Sequence, residues 1–226
     1  MFVGRRINPL PPAADSGVLE ALHGIATPLL SDNMSRIVGV CGLTRYNRTG
    51  KLVGSALTVK TRPGDNLFLY KALTMIRPGD VLVVDAGGGL HNAILGELIK
   101  LYAVGRGCAG FVVDGAIRDV ESFSETPCYA RGVIHRGPYK NGPGEVNVPV
   151  SIGGETINPG DIVVGDADGL VCFPAEIAAE LVAMATRSAA NEERVRAEIA
   201  TGAKAQTWID KVLSAAGLDA DGRGAQ

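Results

Sequence analysis

The sequence predicts a mixed α/β fold, in which a mixed sheet or flattened barrel is flanked by helices. Short apolar, β-branched runs that end on aspartate occupy the middle of the chain, at residues 81–85 and 162–166, as is typical of buried strands. Amphipathic segments lie towards both ends and between two of the central strands. Because the rest of the middle is rich in turns, a doubly wound parallel sheet is not expected.

Length and composition narrow the class of protein. The 226 residues contain no linker-like segment, so we expect one domain over 1–226, with an N-terminal arm at about 1–15 and a C-terminal helical segment at about 174–214. The net charge of −2 argues against a nucleic-acid-binding surface, which needs a basic patch. No apolar run is long enough to span a bilayer, and four widely spaced cysteines without a CxxC pair fit a reduced, cytoplasmic protein.

The first third of the chain alternates between helical and strand patterns. Residues 17–24 show a weak helical pattern, and Ser31 is a suitable N-cap for a short second helix. Residues 52–60 read as a strand and 66–76 as a helix. Pro-Gly-Asp turns begin at Pro63, Pro78 and Pro159, and the proline–glycine order suits a type II turn.

Residues 79–119 contain the predicted elements that place the candidate site. The sequence predicts a buried strand at 81–84, a glycine loop at 86–89, a helix over 93–104 and a second strand at 111–113. That strand ends at Asp114-Gly115, and Arg118 and Asp119 come just past it. This βαβ-like unit brings their side chains and a helix entrance to one end of the sheet, where sites gather.

The groups at this end differ in chemistry and complement one another. A helix entrance offers unpaired N–H groups to an anion, and the Arg118 guanidinium is a planar fork for carboxylate or carbonyl oxygens. A carboxylate such as Asp119 is the ligand that a hard divalent cation takes, with waters completing its shell. We therefore expect a pocket for a small oxo-acid and a metal ion.

The C-terminal part adds strands and then helices. A turn-rich tract at 121–150 is followed by strands within 151–173. Pro174 opens a long helix, whose apolar stripe contains Ile177, Leu181, Met184, Val195 and Ile199, and residues 208–213 form a last short helix.

Other classes of site fit less well. A dinucleotide fingerprint would need glycine where Asn92 stands, and Lys51 is followed by leucine instead of the serine or threonine of a P-loop. No paired histidine ligands and no GxSxG elbow occur. A methyltransferase is a rival, because a strand and a glycine loop at 81–89 resemble a cofactor-binding turn, but the αβ repeats that should follow are missing.

Five segments together resemble the RraA-like family. They are GDVLVVDAGGG, GELIKLYA, GFVVDGAIRD, VNVPV and NPGDIVVGDADGLVCFP, which lie within residues 79–174. The enzymatic branch of this family consists of the 4-hydroxy-4-methyl-2-oxoglutarate / 4-carboxy-4-hydroxy-2-oxoadipate aldolases, which are class II pyruvate aldolases. The resemblance implies a ββα-type layered sandwich similar to swivelling domains, assembled as a homotrimer or hexamer with sites between subunits.

The resemblance also implies roles for single residues. Arg118 would bind the pyruvyl oxygens, and Asp119 would be the direct protein ligand of a divalent cation, Mg²⁺ or Mn²⁺. Glu97 falls where the family places an acidic residue that holds a water on the metal. The backbone N–H groups of Gly96, Glu97, Leu98 and Ile99 would hold the pyruvate carboxylate. A further glutamate, Glu192 or Glu193, would come from a neighbouring subunit.

The expected activity is retro-aldol cleavage of 4-hydroxy-2-oxo acids to pyruvate, with oxaloacetate decarboxylation as a companion reaction, since both leave a pyruvate enolate. The family also has a branch that inhibits ribonuclease E without catalysis. That branch lacks the acid of the Arg-Asp pair, which Asp119 supplies here, although protein-binding regulation stays an alternative. His91, Asn92 and Tyr102 match no consistent pattern of the family.

Overall fold

A mixed β-sheet organises the computed structural model, which describes residues 3–202, 206 and 208–218. The described strands are β1 (Thr44–Arg45), β2 (Leu52–Thr61), β3 (Asp80–Leu95), β4 (Gly110–Ile117), β5 (Cys128–Val133), β6 (Gly144–Val146), β7 (Val150–Ile152), β8 (Glu155–Ile157), β9 (Ile162–Gly165) and β10 (Leu170–Phe173). The described α-helices are α1 (Ser16–His23), α2 (Thr27–Asn33), α3 (Leu67–Leu73), α4 (Glu97–Val104), α5 (Ala178–Ala200) and α6 (Trp208–Ala215).

Eight strands form one sheet in the order β1-β5-β4-β3-β2-β9-β10, with β6 also paired to β2. The pairs β2–β3, β3–β4 and β4–β5 are parallel, and the remaining pairs are antiparallel. β7 and β8 form a separate antiparallel hairpin. The predicted mixed α/β fold is therefore confirmed.

The sheet is buried on both faces. Leu82 and Val84 of β3 pack in a core cluster with residues of α3 and α4, whereas Val81 and Val83 pack in a second cluster with the β7–β8 hairpin. A strand covered on both faces carries a continuous apolar run instead of an alternating one. This explains why residues 81–84 read as a short, fully apolar strand.

The path of the glycine run differs from the prediction. Residues 86–89 form no loop before a helix; β3 continues through them to Leu95, and α4 begins at Glu97 instead of Ala93. Gly87 and Gly88 have φ of 61° and 69°, and the register with β4 shifts between Asp85 and Leu95, as β-bulges allow. Residues 93–95, predicted to begin the helix, are instead buried in β3, where Ala93 pairs with Ala116 and Leu95 with Ile117 of β4.

Several other local predictions can be compared with the structure. The strand over 52–60 and the helices over 17–24, 66–76 and 208–213 are confirmed with small changes of boundary. The prediction of a helix that begins after Ser31 is wrong, because α2 begins at Thr27, with Pro28 in its first turn. Its continuation is prevented because Ser35 and Arg36 adopt left-handed backbone conformations, with φ of 64° and 62°.

The described residues divide into two compact units, 1–186 and 187–226, and the assignment of 1–226 to one domain stays a prediction. In the predicted apolar stripe of the long helix, Leu181 is buried, whereas Val195 and Ile199 are 41% and 62% exposed. Among the described helices, none is both long and apolar enough to cross a membrane.

Candidate active site

The parallel pairing of β3 and β4 brings two distant segments together. Leu95 and Ile117 are register partners at the ends of these strands, and the Arg118 N–H donates to the Leu95 carbonyl over 3.0 Å. Gly96 is the first residue after β3, and Asp119 is the second residue after β4. The start of α4 and the Arg118-Asp119 pair therefore meet at the same end of the sheet, as the sequence predicts.

Asp119 is fixed by its backbone and by α4. Its φ of 54° and ψ of 41° lie in the left-handed region, which aspartate tolerates better than most residues. Its Oδ2 accepts a hydrogen bond from the Glu97 N–H over 3.0 Å and lies 3.6 Å from Arg118 Nε. A carboxylate at a helix N-terminus is favoured by the helix dipole. About half of the side chain, 47%, stays exposed.

The absence of a side chain at Gly96 makes this arrangement possible. A Cβ placed there would lie 2.5 Å from Asp119 Oδ2 and 2.8 Å from Arg118 Cγ. Both distances are shorter than van der Waals contact allows. Glycine is needed here because two side chains approach closely. Its backbone conformation does not require it, since a φ of −156° is open to any residue.

The N–H groups at the start of α4 are not all free. The Glu97 N–H is engaged by Asp119, and the Lys100 N–H begins the helical pattern by donating to the Gly96 carbonyl over 3.1 Å. Helix geometry leaves the N–H groups of Leu98 and Ile99 without a partner inside the helix. Of the three predicted carboxylate donors within α4, the N–H groups of Leu98 and Ile99 are therefore available to a ligand.

A small pocket of about 40 Å³ lies beside these groups. Its lining includes five of the predicted site residues, Gly96, Leu98, Ile99, Arg118 and Asp119. The Glu97 side chain is exposed and is not part of this lining. A cavity needs about 10–15 Å³ to hold one water molecule, so the pocket has room for a few waters, and a larger ligand would extend beyond its lining.

Sequence reasoning missed five further residues of the lining, which are Asn66, Tyr70, Leu95, Pro138 and Lys140. Asn66 directly follows the Pro63-Gly64-Asp65 turn, and this position was the only available signal. Asp65 binds the N–H groups of Asn141 and Gly142 over 2.7 and 2.9 Å, which ties the segment after Lys140 to α3. The pocket therefore contains a second cation, Lys140, whose Nζ lies 5.9 Å from the centre of the Tyr70 ring.

The predicted Glu192 and Glu193, and the unassigned His91, Asn92 and Tyr102, are outside the pocket lining. Glu192 and Glu193 are exposed on α5 and lie 3.3 and 3.5 Å from Arg196, so their role in a neighbouring site stays a prediction. His91 belongs to β3 and does not stand at a helix entrance. Asn92 donates to the Gly137 carbonyl over 2.6 Å, and Tyr102 is 56% exposed on α4.

The side chains around Asp119 determine which kind of metal ion could bind there. Within the described part of the chain, no group of three or more His, Cys, Asp or Glu side chains could hold a metal. At Asp119, however, Oδ2 is engaged, while no described residue bonds to Oδ1. One exposed carboxylate oxygen of this kind fits a cation that keeps most of its water ligands, as Mg²⁺ does.

Comparison with known proteins identifies the family of the chain. The RraA-like family profile (Aldolase/RraA) matches residues 27–172. A protein of Halalkalibacterium halodurans named "Putative 4-hydroxy-4-methyl-2-oxoglutarate aldolase" is 36% identical over 204 residues, covering 88% of this chain and 97% of that protein.

Solved structures with the same fold carry a different title. Streptomyces coelicolor RraAS2, described as an unusual member of the RNase ES inhibitor RraA family, is 30% identical with a TM-score of 0.75 and covers 82% of this chain and 99% of its own. The RNA-processing inhibitor RraA of Thermus thermophilis is 32% identical with a TM-score of 0.61, covering 66% of this chain and 92% of its own. The matched profile spans most of the described chain, including Gly96, Arg118 and Asp119, and the chain belongs to the RraA-like family.

Proposed function

We propose that this protein is a divalent-metal-dependent lyase that cleaves 4-hydroxy-2-oxo acids, such as 4-hydroxy-4-methyl-2-oxoglutarate, to pyruvate, and that it also decarboxylates oxaloacetate. The observation that carries the proposal is the Asp119 carboxylate, held at the start of α4 beside Arg118 with Oδ1 uncommitted. A relative named as an aldolase at 36% identity supports the same reaction class.

The charges around the pocket suit the proposed substrate. Arg118 and Lys140 both line it, and the N–H groups of Leu98 and Ile99 add uncharged donors. A 4-hydroxy-2-oxo diacid carries two carboxylates, and two separate cations complement them. In this arrangement the N–H groups bind the carboxylate next to the 2-oxo group, and Lys140 binds the distal carboxylate.

Each side chain has a distinct task in the proposed cleavage. A divalent cation supplies Lewis-acid polarisation of the 2-oxo group when it is bound. Asp119 would hold that cation through Oδ1. Arg118 orients the 2-oxo and carboxylate oxygens and stabilises the negative charge that develops on the 2-oxo oxygen. Glu97, exposed at the first turn of α4, receives the proton of the C4-hydroxyl through a water molecule.

We also propose that the protein is a homotrimer or hexamer. The pocket of about 40 Å³ has room for only a few atoms inside its lining. The helix α4, which lines it through Leu98, exposes apolar side chains: Leu98, Leu101 and Tyr102 are 64%, 55% and 56% exposed. A neighbouring subunit would cover them and contribute Glu192 or Glu193. Light scattering after size-exclusion chromatography measures the assembly, and a monomer at micromolar concentration would contradict it.

The decisive assay is pyruvate release from a panel of 4-hydroxy-2-oxo acids and from oxaloacetate. We expect release in Mg²⁺ or Mn²⁺, loss in excess chelator and recovery when metal is restored. Full activity in excess chelator would remove the metal from the proposal. No pyruvate from any compound in the presence of metal would remove the lyase itself.

A second candidate function is regulation of a ribonuclease E-type enzyme by direct binding. Two solved relatives at 30% and 32% identity have titles that name ribonuclease or RNA-processing inhibition. Titration of the purified protein into a ribonuclease E activity assay tests this candidate. Inhibition by a sample that is inactive on oxaloacetate with metal would favour it over the lyase. A methyltransferase, the third class, requires binding of S-adenosylmethionine, which calorimetry measures directly.

A further inference from the structure

Asn66 contains a buried acceptor that the folded chain does not use. The residue is 2% exposed, and its Oδ1 has no hydrogen-bond partner in the described structure. The other polar groups of Asn66 are engaged. Its N–H donates to the Tyr139 carbonyl over 3.0 Å, its carbonyl accepts from the Tyr70 N–H over 3.1 Å, and its Nδ2 donates to the Ile94 carbonyl over 3.0 Å. An unpaired buried acceptor is costly, and such groups in native proteins call for an explanation.

Helix capping does not explain this oxygen. Asn66 is the N-cap residue of α3, where an asparagine oxygen ordinarily accepts from a backbone N–H of the first turn. No such bond forms here. The neighbouring Asp65 accepts from the Leu67 N–H instead, over 3.0 Å, and the Asn66 amide is held at Ile94, immediately before the end of β3.

The position of Asn66 points to a ligand. It lines the same pocket as Arg118, Asp119 and Lys140. Arg118, Lys140 and the open N–H groups of α4 are hydrogen-bond donors, and they complement oxo and carboxylate oxygens, which only accept. Asn66 Oδ1 needs the opposite partner, and the hydroxyl is the one donor that a 4-hydroxy-2-oxo acid offers at neutral pH.

We propose that Asn66 Oδ1 accepts a hydrogen bond from the substrate hydroxyl and so determines specificity for hydroxylated oxo-acids over oxaloacetate. This inference rests on the proposed lyase function. An amide oxygen is too weak a base to remove the proton, so Asn66 binds and orients the hydroxyl while the proton leaves by another group. The oxygen is sealed from solvent in this conformation. A substrate reaches it only if the pocket lining moves, and Leu98 and Lys140 are among the exposed side chains of that lining.

The test compares two reactions in one enzyme. We expect Asn66→Leu to lower kcat/KM for the hydroxylated substrate about tenfold more than kcat/KM for oxaloacetate, because only the first substrate loses a hydrogen bond. The ratio of the two constants does not depend on the fraction of folded protein. Asn66→Asp, which keeps an oxygen at this position, should retain most of the wild-type ratio. Asn158→Leu, the same exchange at an exposed turn residue, should leave the ratio unchanged.

Each outcome has a definite meaning. If Asn66→Leu lowers kcat/KM equally for both substrates, the ratio stays at its wild-type value. This result would overturn the role of Asn66 and leave the proposed lyase function intact. A wild-type enzyme that releases pyruvate from neither substrate would overturn the lyase, and this inference with it.

A second measurement requires no variant, in case Asn66→Leu does not fold. In the wild type, the inhibition constant for 2-oxoglutarate should exceed the Michaelis constant for its 4-hydroxy derivative about tenfold, because the two compounds differ only by the hydroxyl. Equal constants would contradict the proposal.

Discussion

The Asp119 carboxylate accepts a hydrogen bond from the Glu97 N–H over 3.0 Å, across 22 residues of chain. This bond joins the end of β4 to the first turn of α4. One carboxylate oxygen satisfies a helix N–H, which leaves the other oxygen for a ligand. The same contact removes Glu97 from the backbone donors that were expected to bind a substrate carboxylate.

The charge of Asp119 can be separated from its structural contact. Asp119→Asn keeps an oxygen that can accept from Glu97, and asparagine also tolerates the left-handed backbone at this position. We expect kcat/KM for pyruvate release to fall about 100-fold or more, with little change in thermal stability because the side chain is half exposed. Asp168→Asn, an exposed residue outside the pocket lining, is the matched control. Wild-type activity in Asp119→Asn would exclude a metal-binding role for the carboxylate.

Gly96→Ala tests the close approach at the start of α4. The added methyl would lie 2.5 Å from Asp119 Oδ2 and 2.8 Å from Arg118 Cγ, so both side chains must move. We expect kcat/KM to fall at least about tenfold, because small displacements of catalytic groups are costly. At Gly24, the nearest neighbour of a new methyl is the Ala21 carbonyl at 3.6 Å, and Gly24→Ala should keep full activity. Steady-state kinetics of both variants, compared at equal folded concentration, decide the outcome.

Because of Asp65, we expect the stability of the folded protein to depend on pH. Burial raises the pKa of this carboxyl, but hydrogen bonds from the N–H groups of Leu67, Asn141 and Gly142, together with Arg62, outweigh burial and lower it below the ordinary value of 3.8. A lowered pKa in the folded state stabilises the fold above the unfolded pKa, and this contribution is lost as pH falls through the folded pKa.

Urea denaturation between pH 6 and pH 3 measures this contribution. The wild type should lose stability as pH falls below about 4. Asp65→Asn should be less stable at pH 6, by about 1–3 kcal/mol, with a flatter dependence on pH. Parallel curves for the two proteins would show that Asp65 does not contribute to the acid transition.

The four cysteines should differ sharply in reactivity. Cys41 is exposed, while Cys108, Cys128 and Cys172 are buried. Burial raises the pKa of the Cys108 thiol to about 11 and raises the pKa of the other two buried thiols as well. Because the thiolate is the reactive form, a thiol reagent at pH 8 should label one cysteine in the native protein and four in denaturant. Cys41→Ser should abolish the native reaction, and rapid labelling of more than one thiol would contradict the described burial.

Local sequence patterns determined most of the strands and the position of the site. The buried part of β3 at 81–84 and the strand β4 could be predicted because a strand covered on both faces carries a continuous apolar run. The Arg118-Asp119 pair could be placed at a sheet end because it comes shortly after the run at 111–113. The resemblance to the RraA-like family, carried by segments within 79–174, led to the same family that the profile match shows.

Tertiary structure decided what local patterns left ambiguous. Residues 93–95 fit a helix face as well as a strand, and only pairing with β4 selects the strand, since short apolar runs have no period of their own. Asn66 and Lys140 lie 74 positions apart in the sequence and reach one pocket because Asp65 binds the backbone at Asn141 and Gly142. Long-range hydrogen bonds of this kind leave no periodic trace in the sequence. The chain alone therefore placed Arg118, Asp119 and a helix start at one end of the sheet, and the fold decided which other residues surround them.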